Sequence, residues 1–135
     1  MSEFPSEIRK LLEDPSIVKA GVGILGDASK LRADFGVNVT SCLDLSCLAK
    51  LIDPQWSTCK GPIGLARLMK AYEGQELKKP KSLVRSNWER FLTQAQQDYA
   101  ANDAIAGLSI LRKLDTILIS KTPPPNKAEY LFNFE

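Results

Sequence analysis

The sequence predicts an α/β fold with two short parallel strands and several helices. Two observations carry that reading. The β-branched segments 17–23 and 37–43 are each followed within a few residues by a segment of helical periodicity, and further helical segments lead to a long one over 93–120. With 135 residues, 44% of them hydrophobic and 25% charged, the chain is long enough for one core and not for two.

Residues 4–13 place Phe4, Ile8, Leu11 and Leu12 at helical spacing, with Pro5 near the start and Asp14-Pro15 as the stop. Residues 17–23 are too few for a helix and read as a strand; after Gly26 the run 28–35 turns helical and ends at Gly36. A second strand follows over 37–43, interrupted by Asn38, Thr40 and Ser41, and a helix over 45–52 closes at Asp53-Pro54. Strands alternating with helices in this way run parallel. Residues 64–72 carry Leu65, Leu68, Met69 and Tyr72 on one helical face and stop at Gly74. The longest helix, 93–120, has the stripe Ala95, Tyr99, Ala100, Ile105, Leu108, Leu111, Leu114 and Leu118. Pro123-Pro124-Pro125 then opens an extended segment, dividing the chain into a domain over 1–120 and a Pro-containing C-terminal tail over 121–135. Two strands alone make a marginal sheet, so the sequence reads as part of a larger one.

Composition excludes several functions. The chain has no histidine, which removes Ser-His-Asp and Cys-His nucleophilic catalysis and His-ligated zinc. Cys42, Cys47 and Cys59 are an odd count without CxxC spacing, so three free and mostly buried thiols of a reducing compartment are expected. No apolar run is long enough to span a bilayer and no signal segment opens the chain; the expectation is an intracellular protein, nuclear or cytoplasmic, neither secreted nor membrane-bound. Net charge is only +2, yet residues 75–90 hold Lys78, Lys79, Lys81, Arg85 and Arg90 against Glu76 and Glu89, which concentrates positive charge in one loop.

Three places could carry chemistry. Gly21-Val22-Gly23-Ile24-Leu25-Gly26 is a formal GxGxxG between strand and helix, with Asp44 about twenty residues on, but Asp27 directly after it would repel a pyrophosphate at that helix start. Asp27 reads instead as a helix cap or as a hard oxygen ligand for a cation. In Tyr99-Ala100-Ala101-Asn102-Asp103 the phenol and the carboxylate lie four residues apart on one helical face, with alanines leaving room for a ligand; an ordinary Tyr with a partly solvated Asp is the plainer alternative. Lys79, Lys81 and Arg85 with Asn87 and Trp88 could hold phosphates and stack on a base, or form a solvated loop with Trp88 anchored in the core.

In combination these segments are far more specific. Lys19-Ala20-Gly21-Val22-Gly23-Ile24 with Asp27, Lys30 and Leu31, then Asp44-Leu45, Gly64-Leu65-Ala66-Arg67-Leu68, Ser86-Asn87-Trp88-Glu89 and Gln97-Asp98-Tyr99-Ala100-Ala101-Asn102-Asp103-Ala104, resemble the 3′-5′ exonucleases of the ribonuclease D and Werner syndrome exonuclease type over residues 4–118. The resemblance implies a ribonuclease H-like fold and two-metal hydrolysis, with Mg²⁺ or Mn²⁺, of phosphodiester bonds at DNA or RNA 3′ ends. Asp27 then matches the acidic residue of the second exonuclease motif, and Tyr99 and Asp103 match the tyrosine and acidic residue of the third, making Asp27 and Asp103 metal ligands and Tyr99 the group that positions the attacking water. It also implies that Lys79, Lys81, Arg85, Asn87 and Trp88 lie near the strand being degraded.

The chain departs from that pattern in one respect. The family's first motif, an Asp-x-Glu supplying two more carboxylates, normally precedes the stretch that Phe4 begins, and no Asp-x-Glu occurs in this sequence. The resemblance therefore implies a fold truncated at its N-terminus. It also implies a chain weak or inactive alone, the alternative being a non-catalytic remnant that binds nucleic acid or a protein partner. A sheet lacking strands exposes an edge, so pairing with a second copy or a partner chain is expected. The segment Tyr130-Leu131-Phe132-Asn133-Phe134 is apolar enough to cover such an edge, to dock on a partner or to lie on its own domain.

Overall fold

The computed structural model describes residues 4–133. Its sheet contains β1 (Lys19–Gly21), β2 (Cys42–Asp44) and β3 (Leu131–Phe132) in that spatial order. β1 and β2 form the expected parallel pair, with Lys19 opposite Cys42 and Gly21 opposite Asp44. The tail supplies the third strand: β3 runs antiparallel to β2, with Cys42 opposite Phe132, and Asn133 Oδ1 accepts the Ser41 N–H at 2.8 Å. The tail thus covers one edge of the parallel pair; Phe134 lies outside the described residues.

The helices are α1 (Ser6–Glu13), α2 (Ile24–Phe35), α3 (Leu45–Ile52), α4 (Leu65–Glu73), α5 (Lys81–Val84) and α6 (Gln94–Ile119). Alternation along the strands sorts the cores. Cys42 and Phe132 join Ala28, Val37 and Val39 on the α2 face. Leu43 and Leu131 join Leu45, Leu48, Ile110 and Leu114 on the face built by α3, α4 and α6. The result is helices on both faces of a sheet, the α/β arrangement expected.

Several expectations are corrected. The second strand starts at Cys42, five residues later than periodicity suggests, because residues 38–41 spend their polar groups on the end of α1 and the turn after it. Asn38 N–H donates to Glu13 Oε2 at 3.0 Å, Thr40 N–H to the Leu12 carbonyl at 3.0 Å, and Ser41 Oγ to the Pro15 carbonyl at 2.6 Å. Ser41 is also left-handed, with φ 52°, which breaks the extended run. α2 starts at Ile24 instead of residue 28, since Gly23, at φ 71°, makes the turn by itself. On α6 the buried face is Ala106, Ile110 and Leu114; Ile105 and Leu108 of the expected stripe are 64% and 49% exposed. Of the three free thiols only Cys42 is buried, while Cys47 is exposed. Among the described residues no helix is long and apolar enough to cross a membrane.

Candidate active site

The start of α2 is fixed by Asp44. Its buried carboxylate accepts the Gly23 N–H on Oδ2 at 3.0 Å, and the Ser46 and Cys47 N–H groups on Oδ1 at 2.9 and 3.2 Å. One side chain therefore caps α3 and holds the glycine turn. The Gly23 N–H is thus already used and Asp44 is buried as a cap, and both count against the dinucleotide reading of the glycines. Asp27 is not the cap either: it stands exposed in the first turn of α2, which has Gly23 at its N-cap and no side-chain cap.

Tyr99 and Asp103 lie on α6, a helix that begins with a capping box between Thr93 and Gln96. Both are half-buried, whereas Asp98, beside Tyr99, is exposed and bonded to Gln94. The two share a wall between two cavities. One, of about 320 Å³, has Met69, Leu77 and Ala106 with the polar Gln75, Lys78 and Asn102; the other, of about 410 Å³, has Val84, Trp88 and Ala100. Burial, followed by the adjacent Asp103 carboxylate, pushes the Tyr99 phenol above its ordinary value, so it is protonated at neutral pH. A protonated phenol can donate a hydrogen bond but cannot act as a base.

Trp88 does not stack in the core. Its ring sits 5.9 Å from that of Tyr99 at a 55° tilt, and its indole N–H donates to the Val84 carbonyl at 3.2 Å. Lys79, Lys81, Arg85 and Asn87 are exposed, and Asn87 Oδ1 accepts the Glu89 N–H at 2.9 Å in a tight turn. Glu89 in turn brings negative charge to Lys30, one turn beyond Asp27, although the Asp34 hydrogen bond is the larger cause of that ammonium's raised pKa. The loop after α5 thus touches Tyr99 through Trp88. One residue was missed from the sequence: Gln96, whose Thr-x-x-Gln capping signature was legible.

Two divalent ions need several hard oxygen ligands. Among the described residues no group of three or more His, Cys, Asp or Glu side chains could hold a metal ion. Asp27 and Asp103 alone therefore do not make a two-metal centre.

Comparison with known proteins identifies the family and the fold. A family model described as 3′-5′ exonuclease matches residues 4–119. The chain is 42% identical over 115 residues to Exonuclease 3′-5′ domain-containing protein 2 of Drosophila melanogaster, covering 84% of this chain and 19% of that protein. It is 44% identical over 118 residues to the bifunctional 3′-5′ exonuclease/ATP-dependent helicase WRN of Mus musculus, covering 87% of this chain and 8% of that one. Among solved structures, Brucella melitensis NrnC superposes with a TM-score of 0.75 at 24% identity, over 94% of this chain and 59% of that chain, which shows the shared ribonuclease H-like fold. The chain belongs to the 3′-5′ exonuclease domain family.

Proposed function

We propose that Asp27, Tyr99 and Asp103 are one half of a 3′-5′ exonuclease site that hydrolyses phosphodiester bonds at DNA or RNA 3′ ends. The observation that carries this is the Tyr99–Asp103 pair, four residues apart on one half-buried helical face and backed by Trp88, in a chain of the exonuclease family. The protonated phenol of Tyr99 orients a water by hydrogen bonding, and Asp27 and Asp103 contribute hard oxygens. Mg²⁺ or Mn²⁺, when bound, supplies charge neutralisation at the phosphate. Exposed Lys79, Lys81 and Arg85 receive the nucleic-acid backbone.

Two carboxylates offset only half the charge of two divalent ions, so the chain alone has little activity. Complete turnover needs a further acidic pair. Two experiments test this reading. Calorimetric titration with Mn²⁺ should show one weak site, lost in Asp27→Ala and in Asp103→Ala; no specific site would leave the non-catalytic binding remnant as the better account. Incubation of the chain with 5′-labelled single-stranded DNA and Mn²⁺ should give slow shortening at most. Brisk stepwise shortening abolished by Asp103→Ala would show that the site is complete without help.

A further inference from the structure

Gln96 is a buried polar side chain that the proposed chemistry does not use. It is 1% exposed, and it precedes Tyr99 by three residues and Asp103 by seven, which puts all three on one face of α6. Its amide has two separate sets of partners. Oε1 accepts the Thr93 N–H at 2.9 Å and completes the capping box. Nε2 donates to Ser86 Oγ at 2.9 Å and to the Asn87 carbonyl at 3.0 Å, so both of its N–H groups go to the loop immediately before Trp88.

That bonding leaves Trp88 little freedom, because the residues before it are tied to α6 and its own N–H is tied to Val84. The charged side chains around it, Lys79, Lys81, Arg85 and Arg90, are all exposed, and beyond them the Gln97 amide donates to the Leu92 carbonyl at 3.1 Å. We propose that Gln96 is a positioning residue that locks the loop after α5 onto α6, so that the Trp88 ring holds Tyr99 in one rotamer beside Asp103. This deepens the exonuclease reading, and its meaning for catalysis rests on that reading.

Cap and lock are chemically separable. Glutamate at position 96 retains the acceptor that a capping box needs, but it has no N–H for the Asn87 carbonyl and sets a negative charge against that oxygen. Thr93→Ala does the reverse, removing the cap hydroxyl and leaving the Gln96 amide in place. Chain labelled with 5-fluorotryptophan has two indoles, Trp56 and Trp88, whose fluorine resonances are assigned with Trp88→Phe. Gln96→Glu should shift the Trp88 resonance toward that of an indole in water and leave buried Trp56 unmoved. Thr93→Ala should lower the melting temperature without moving Trp88.

A Trp88 resonance that stays in place in Gln96→Glu overturns the lock, and so does an equal shift in Thr93→Ala. Should Gln96→Glu fail to fold, Ser86→Ala decides, since it removes one of the two loop acceptors: a smaller Trp88 shift supports the lock and none overturns it. The fluorine signal needs neither metal nor cleavage. Missing Mn²⁺ binding would therefore sink the exonuclease reading alone, and an unmoved Trp88 the lock alone.

Discussion

Replacing Asp44 tests the local architecture most directly, because one carboxylate serves three backbone donors in two elements. In Asp44→Ala the cap of α3 is lost, which costs about 1 kcal/mol. The Gly23 N–H, 3.0 Å from Oδ2, is left without that partner in a part-buried turn, adding about 1–3 kcal/mol. The total is roughly 2–4 kcal/mol, and at about 4 °C per kcal/mol for a chain of this size the melting midpoint should fall by roughly 8–16 °C. Asp44→Asn keeps one carbonyl oxygen for the cap but loses the charge and the second acceptor, so about half that fall is expected. Thermal unfolding followed by circular dichroism reads both variants. A drop below about 4 °C in Asp44→Ala, or equal drops in the two, would refute the claim that this side chain joins the glycine turn to α3. Because Gly23 starts the helix that carries Asp27, Asp44→Ala should also weaken Mn²⁺ binding.

Gly23→Ala and Gly26→Ala add the same methyl to open space, yet they should move stability in opposite directions. The first forces a left-handed alanine and costs about 1–2 kcal/mol, the second fills a helical position and gains up to about 1 kcal/mol; melts of the same sign in both would contradict the turn assignment. Burial raises the Asp53 carboxyl, but hydrogen bonds from Tyr72 at 2.6 Å and from Gln55 outweigh it and hold the group below the ordinary 3.8. A carboxyl lowered in the folded state stabilises above its unfolded value and ceases to do so as pH falls through the folded one. The melting temperature should therefore drop below about pH 4, and less so in Asp53→Asn, as melts between pH 2 and 6 will show. Changing Lys79, Lys81 and Arg85 together to alanine should reduce the salt dependence of oligonucleotide binding, log K against log salt, by about 2 in slope. Trp88→Ala should weaken binding by about 1–3 kcal/mol at unchanged slope; fluorescence anisotropy at several salt concentrations separates the two effects.

The parallel pair and the main helices were legible because their periods are local, and Asp53-Pro54, Gly36 and Gly74 end helices by chemistry that acts within one turn. β3 was only half legible. Its apolar pattern showed that it could cover an edge, but pairing with a strand about ninety residues earlier is a tertiary choice among cover, partner and self. The phase of α6 was misread for a similar reason: Ile105 and Leu108 are as apolar as Ile110 and Leu114, and only the position of α3 and the sheet decides which side is buried. Of the proposed site, the shared half-buried helical face of Tyr99 and Asp103 was readable from their spacing. The part played by Gln96 was not, because a buried amide owes its role to partners from a different segment.

The short β3 strand has a consequence for how the protein withstands cleavage. It is joined to the rest of the fold through a connection that includes Lys127, which is exposed. A tryptic cut there would free the strand, since two residues of ladder cannot hold a detached peptide, and the bared flank of β2 would then recruit the same flank of another molecule. Digestion followed by light scattering should thus show clipping first and particle growth after it. A nicked chain that stays monodisperse would mean that β2 is sheltered by something other than its own carboxyl-terminal residues.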